Sequence, residues 1–190
     1  MPFLKQLLFK SFSYMVDGLG VMKRRDLSGF CGLAVKLGAV DAKVIRADQV
    51  TVREWVRWKC RFGCSSYNRS LMCPPYTPTP EETRALLKEY KHALLFRFRP
   101  STPKSLAVKL ERRIFLEGYP AALAFSSGSC NLCEKCNVER GYCLKPLEAR
   151  PSMEGCGISV FETARNAGYK IEVLRSKEQN YLRYGLVLIC

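Results

Sequence analysis

The sequence predicts an α/β or α+β fold, a layered sandwich of short strands and helices with cysteine-rich metal-binding loops at one end of the sheet. Three observations carry that expectation. Short apolar segments alternate with segments of helical periodicity. Proline and glycine fall between them, where elements must stop. Most of the ten cysteines fall in two stretches, 60–73 and 130–143, that are rich in polar and turn-forming residues. A chain of 190 residues, 47% hydrophobic and 25% charged, can bury a core without cross-links, which excludes a wholly disordered chain.

Residues 1–40 are expected as an N-terminal helical segment and 41–190 as a cysteine-rich metal-binding domain. Phe3, Leu7, Leu8 and Phe12 suit one face of a short amphipathic helix. That helix docks on the core or, with Lys23, Arg24 and Arg25 behind it, on a membrane surface. Lys5 and Lys10 interrupt any signal-peptide stretch, and no apolar run reaches the ~18 residues of a membrane-crossing helix.

Residues 27–37 read as a helix closed by Gly38, with Cys31 in its apolar surroundings as core. Residues 42–45 and 50–53 read as extended. Four prolines between Pro74 and Pro80 make a stiff connector. Thr79 is the expected N-cap of the next helix, with Pro80 at its first position and Glu82 closing a capping box. Residues 92–99 read as a strand. Residues 101–118 read as a helix presenting Leu106, Leu110 and Ile114 on one face, and 121–125 as a short buried strand. Ser159 with Glu162 forms a second capping box, for a helix that Gly168 ends. Residues 171–174 and 184–189 close the chain as strands.

Lacking a secretory signal, the chain is expected in the cytoplasm, where thiols stay reduced and clustered cysteines point to metal or catalysis rather than disulfides. The strongest signal is Cys130-x2-Cys133-x2-Cys136-x6-Cys143. Three evenly stepped cysteines wrap around one inorganic core, and a fourth returns to close it, as in iron–sulfur sites. Here the fourth follows after six residues, which suits a self-contained four-thiolate site. Structural zinc is the competitor, but zinc sites usually pair two CxxC units across a longer loop. The second signal is Cys60-x3-Cys64-x8-Cys73-Pro74-Pro75. It offers three local ligands, with Cys156, between Gly155 and Gly157, as the candidate fourth. Without Cys156 one metal position stays open to substrate or solvent. Cys190 is undecided by the sequence. With His92 as the single histidine, Ser-His-Asp catalysis is disfavoured and histidine-based zinc hydrolysis is excluded, and no phosphate-binding glycine loop occurs.

These blocks, with Leu71-Met72 before Cys73, Glu89–Leu95, Glu148-Ala149-Arg150-Pro151-Ser152-Met153-Glu154 and Gly157-Ile158, resemble domain-of-unknown-function family 2284 over roughly residues 40 to 190. The resemblance implies a predicted metal-binding, anaerobe-associated, cysteine-rich protein and no settled reaction. Ser159 stands where that pattern carries an acidic residue.

There are 31 Lys and Arg against 17 Asp and Glu, and nine of the cations lie between Arg84 and Arg113. Arg97 and Arg99 alternate with Phe96 and Phe98, so one strand face is expected to be basic. An acidic redox partner protein fits that charge; RNA ranks lower, since no nucleic-acid-binding signature occurs. The reading is therefore an iron–sulfur protein of one or two 4Fe–4S clusters for electron transfer. The alternatives are an iron–sulfur enzyme with an open-site cluster, in which Arg150 and Glu154 position a small-molecule substrate, and a zinc-stabilised binding module for RNA or an acidic protein.

Overall fold

Four strands pair into one antiparallel sheet: β1 (Asp41–Arg46), β2 (His92–Phe98), β3 (Leu123–Phe125) and β4 (Arg183–Leu188), ordered β1-β2-β4-β3. The structure, a computed structural model, describes residues 26–176 and 178–190. The expectations for Phe3, Leu7, Leu8 and Phe12 lie outside those residues. The register sets Val44 opposite Leu94, Leu94 opposite Val187, and Ala124 opposite Val187 across the whole sheet.

β2 is apolar on both faces because both faces are covered. Leu94, Phe96 and Phe98 face one layer, built from α1 (Gly29–Lys36) and α4 (Ser105–Leu116) through Phe30, Ala34, Leu106, Leu110 and Ile114. Ala93 and Leu95 face the other. There α3 (Pro80–Leu87), α5 (Val160–Asn166) and a 3-10 turn at Glu154–Cys156 bring Leu87, Ala164, Met153, Cys156 and Ile158 onto the sheet. The fold is α+β in three layers. The α3 start forms as its sequence requires: Thr79 Oγ1 accepts from Glu82 N at 3.1 Å, and Thr79 N donates back to Glu82 Oε2 at 2.7 Å. Gly185 lets β4 cross Phe96, for a Cβ there would stand 2.3 Å from the ring.

The structure departs from the sequence reading in five places. The helix α2 (Glu54–Gly63) occupies the start of the first cysteine stretch, so Cys60 is helical rather than in a loop. It buries only Val56; Trp55, Trp58 and Phe62, spaced along one helical face, are left exposed rather than packed on the core. Residues 50–53 make one isolated bridge, Val52 with Ile158, instead of a strand. Residues 171–174 are not a strand; Val173 and Leu174 are exposed with no neighbour to pair. Ser159 makes no side-chain cap, and the Glu162 carboxylate accepts from Arg53 at 2.7 and 2.9 Å. The expected basic face of β2 is also absent at Arg97, whose guanidinium pairs with Asp41 and lies over the Tyr169 ring. No helix among the described residues is long and apolar enough to cross a membrane.

Candidate metal centre

The first cysteine group is built by a helix end and a knotted turn. Cys60 sits in the last turn of α2, and Cys64 follows where the backbone becomes extended. The chain then folds back. Asn68, at a left-handed φ of 57°, donates from its backbone to Pro74 O at 2.8 Å, and its Oδ1 accepts from the Tyr76 hydroxyl at 2.7 Å. Ser70 O accepts from Cys73 N at 2.9 Å, which presents a buried Cys73 to the same region. Burial pushes the Cys60 thiol up from its ordinary value; Cys64, Glu154 and Cys73 act in the same direction, and Arg57 opposes them. Burial also raises Cys73, against the Ser70 hydroxyl and the Cys130 backbone N–H that face its sulfur. Cys60, Cys64 and Cys73 therefore lie within electrostatic reach of one another.

The second group follows β3. Ser126 N donates to Pro151 O at 2.8 Å and Met153 N to Ser126 O at 3.1 Å, which ties the start of this loop to the 3-10 turn. Burial pushes Cys130 up, and Cys136, Cys143 and Cys133 add to the effect. Two backbone amides approach sulfur directly: Lys145 N lies 3.4 Å from Cys143 Sγ, and Leu71 N lies 3.4 Å from Cys136 Sγ. The second contact, with the Cys130 N–H at Cys73, joins the two groups. Seven predicted ligands, Cys60, Cys64, Cys73, Cys130, Cys133, Cys136 and Cys143, thus share one region, all as free thiols. Among the described residues no three His, Cys, Asp or Glu side chains stand ready to hold a single ion.

Cys156 lies elsewhere. It has no solvent exposure and packs in the core with Met153, Ile158 and Ala164. Burial pushes its thiol up to about 12, and the charges that reach it are Arg57 and Glu154 rather than the other thiols. The flanking glycines serve packing: a Cβ at Gly157, φ 81°, would stand 2.9 Å from Pro80. Arg57 anchors α2 to this turn, donating to Gly155 O at 2.6 Å, Pro78 O at 2.7 Å and Thr77 Oγ1 at 3.0 Å.

Arg150 pairs with Glu111 through Nε at 2.8 Å, and Glu111 also accepts from Ala124 N at 2.7 Å. It braces the loop against α4. Glu154 differs. Its Oε2 is out of solvent contact and has no hydrogen-bond partner, and burial raises its carboxyl. A cavity of about 930 Å³ adjoins it, lined among others by Trp55, Cys60, Cys64, Glu154, Phe161 and Tyr184. Lys104 was not separable in sequence from the other cations of its run. The structure sets it beside Cys73, Cys130 and Glu154, with its ammonium donating to Ser129 O. Burial and Arg183 lower the Lys104 value, and those acidic neighbours oppose the shift.

Cys31 is partly buried against the α1–α4 layer, and Cys190 is exposed with its sulfur 3.7 Å from His92 Nδ1. Residues 43–189 match the family model described as predicted metal-binding protein (DUF2284). No curated protein and no solved structure matches the chain.

Proposed function

The chain belongs to the predicted metal-binding family DUF2284, and from that membership we propose that it is an iron–sulfur protein of one or two 4Fe–4S clusters that serves electron transfer. The observation that carries the reading is the meeting of the two thiol groups at Cys73 and Cys130, with backbone N–H groups turned toward sulfur. Thiolate-rich loops with N–H···S contacts are what iron–sulfur clusters require of a protein.

Cys130, Cys133, Cys136 and Cys143 would hold one cluster, and Cys60, Cys64 and Cys73 the other. When bound, such a cluster supplies one-electron chemistry at a potential tuned by its hydrogen bonds and exposure. The protein's own residues do the rest. Burial at Cys73 and Cys130 keeps water from part of the site. The Leu71 and Lys145 amides stabilise negative sulfur. The Lys104 ammonium adds a positive charge beside the junction.

An acidic protein fits the surface of α2. Trp55, Trp58 and Phe62 are exposed there, next to an exposed Cys64. Lys59 covers the Trp55 ring, Arg61 covers the Phe62 ring, and Trp58 stacks on Phe62. The one acid of the helix, Glu54, is paired with Arg84 at 2.6 Å. With Glu54 paired, the charge this face presents is that of Lys59 and Arg61, which suits an acidic protein.

The cavity beside Cys60 and Cys64 favours a second reading, an iron–sulfur enzyme whose open cluster takes a small substrate. One experiment tests the iron reading. The protein purified without oxygen is expected to be brown and to bleach under dithionite, with Cys130→Ser and Cys73→Ser removing different parts of the spectrum. A colourless zinc protein that binds RNA in a salt-sensitive way would overturn both iron readings.

A further inference from the structure

We propose that the Glu154 carboxylate, rather than the Cys156 thiol, completes the Cys60, Cys64 and Cys73 site as an oxygen ligand. The inference rests on the iron–sulfur reading above and adds a ligand that thiol counting cannot find.

The placement comes from two elements in contact. The 3-10 turn of Glu154–Cys156 packs on α2, the helix that carries Cys60. Of its two candidate ligands, Glu154 lines the cavity that Cys60 and Cys64 also line, and its charge reaches the Cys60 thiol. Cys156 does not line that cavity and is packed in the apolar layer with Met153, Ile158 and Ala164.

The backbone holds that choice. Cys156 O accepts from Thr83 Oγ1 at 2.8 Å, and Ile158 N donates to Met153 O at 2.9 Å across the turn. Bringing the Cys156 sulfur to the other thiols would require that turn to open and the core to lose a buried side chain.

The carboxyl is oriented and yet incomplete. The Gly128 amide, the Ser152 hydroxyl and its own backbone N–H face it. Oε2 nevertheless has no partner and no contact with water. A buried acceptor in that condition points to a cation that belongs there. The Lys104 ammonium acts on this carboxyl from nearby and donates to Ser129 O, yet it makes no hydrogen bond to Oε2. Donors around a carboxylate that leave one oxygen free are the arrangement that fixes a ligating carboxylate. An oxygen donor among three thiolates would make one metal position unlike the rest. Cys60, Cys64 and Glu154 line the cavity beside that position.

Iron and sulfide content and low-temperature electron paramagnetic resonance of the full anaerobic chain test this in Glu154→Gln, Glu154→Cys and Cys156→Ala. Cys156→Ala is expected to keep the wild-type iron content and spectrum. Glu154→Gln is expected to lose about one iron per chain and to show a three-iron signal when oxidised. Glu154→Cys is expected to retain the iron with a shifted spectrum. An unchanged Glu154→Gln, or loss of iron in Cys156→Ala, overturns the assignment and leaves the iron–sulfur reading standing. A spectrum from the Cys130 group that survives in every variant shows that each has folded. Zinc without sulfide in the wild-type chain overturns the iron–sulfur reading instead. The carboxylate is then judged by zinc retention against a chelator, where Glu154→Gln must lose the ion faster than Cys156→Ala.

Discussion

Arg150 and Glu111 are both mostly buried, with 20% and 13% of their side chains exposed. Removing one partner of such a pair leaves a charge without compensation. Arg150→Ala is therefore expected to lower stability by about 3 kcal/mol in a urea titration while leaving the metal content unchanged. Loss of metal without loss of stability would make Arg150 part of the site. The Asp41–Arg97 pair is more exposed and contributes less. The Arg97 guanidinium, then Tyr169, hold the Asp41 carboxyl below its ordinary value of 3.8. A carboxyl depressed in the folded state stabilises above that ordinary value, and the gain is lost as pH falls through the folded one. Asp41→Asn should thus lower the melting temperature by about 2–4 °C at neutral pH. The gap to wild type should close in acid below 3.8. A gap that persists there would assign the loss to packing.

Elements with local signals were legible in the sequence. The α3 cap is written in Thr79, Pro80 and Glu82, and the α4 core face in Leu106, Leu110 and Ile114, because capping and helical period are properties of neighbouring residues. The spacing of Cys130, Cys133 and Cys136 is local in the same sense. What depends on distant partners was not legible. Residues 171–174 have strand composition but find no strand to pair with. Glu162 pairs with Arg53, remote in sequence, and the Ser159 side chain makes no cap. The close approach of Pro80 that Gly157 allows, and the burial of Cys156 among Met153, Ile158 and Ala164, depend on residues far along the chain. Two substitutions probe the elements. Thr79→Ala should cost about 1 kcal/mol by removing the α3 cap, read as a shift in the urea midpoint. Gly185→Ala should cost about 1–3 kcal/mol, because its methyl group meets the Phe96 ring. Phe96→Leu in the same chain should recover part of that loss; failure to do so would assign it to the backbone of β4.

At the scale of the molecule, a sheet covered on both faces leaves the cysteine loops free of any duty to the core. One layer, α1 with α4, is apolar packing. The other carries the 3-10 turn whose Glu154 lines the cavity beside Cys60 and Cys64 and whose Cys156 packs in the core. The aromatic and basic face of α2 stands beside Cys60 and Cys64, where an acidic partner would come closest to the site. Lys59→Glu with Arg61→Glu should therefore weaken binding to an acidic redox protein and flatten its salt dependence, measured by titration calorimetry at two ionic strengths. Unchanged binding would move the docking face elsewhere. The central claim, that the gathered thiols hold iron–sulfur clusters, is tested most directly by iron, zinc and acid-labile sulfide per chain after purification without oxygen. The account predicts about eight iron and eight sulfide, two clusters' worth. One or two zinc ions with no sulfide would contradict it.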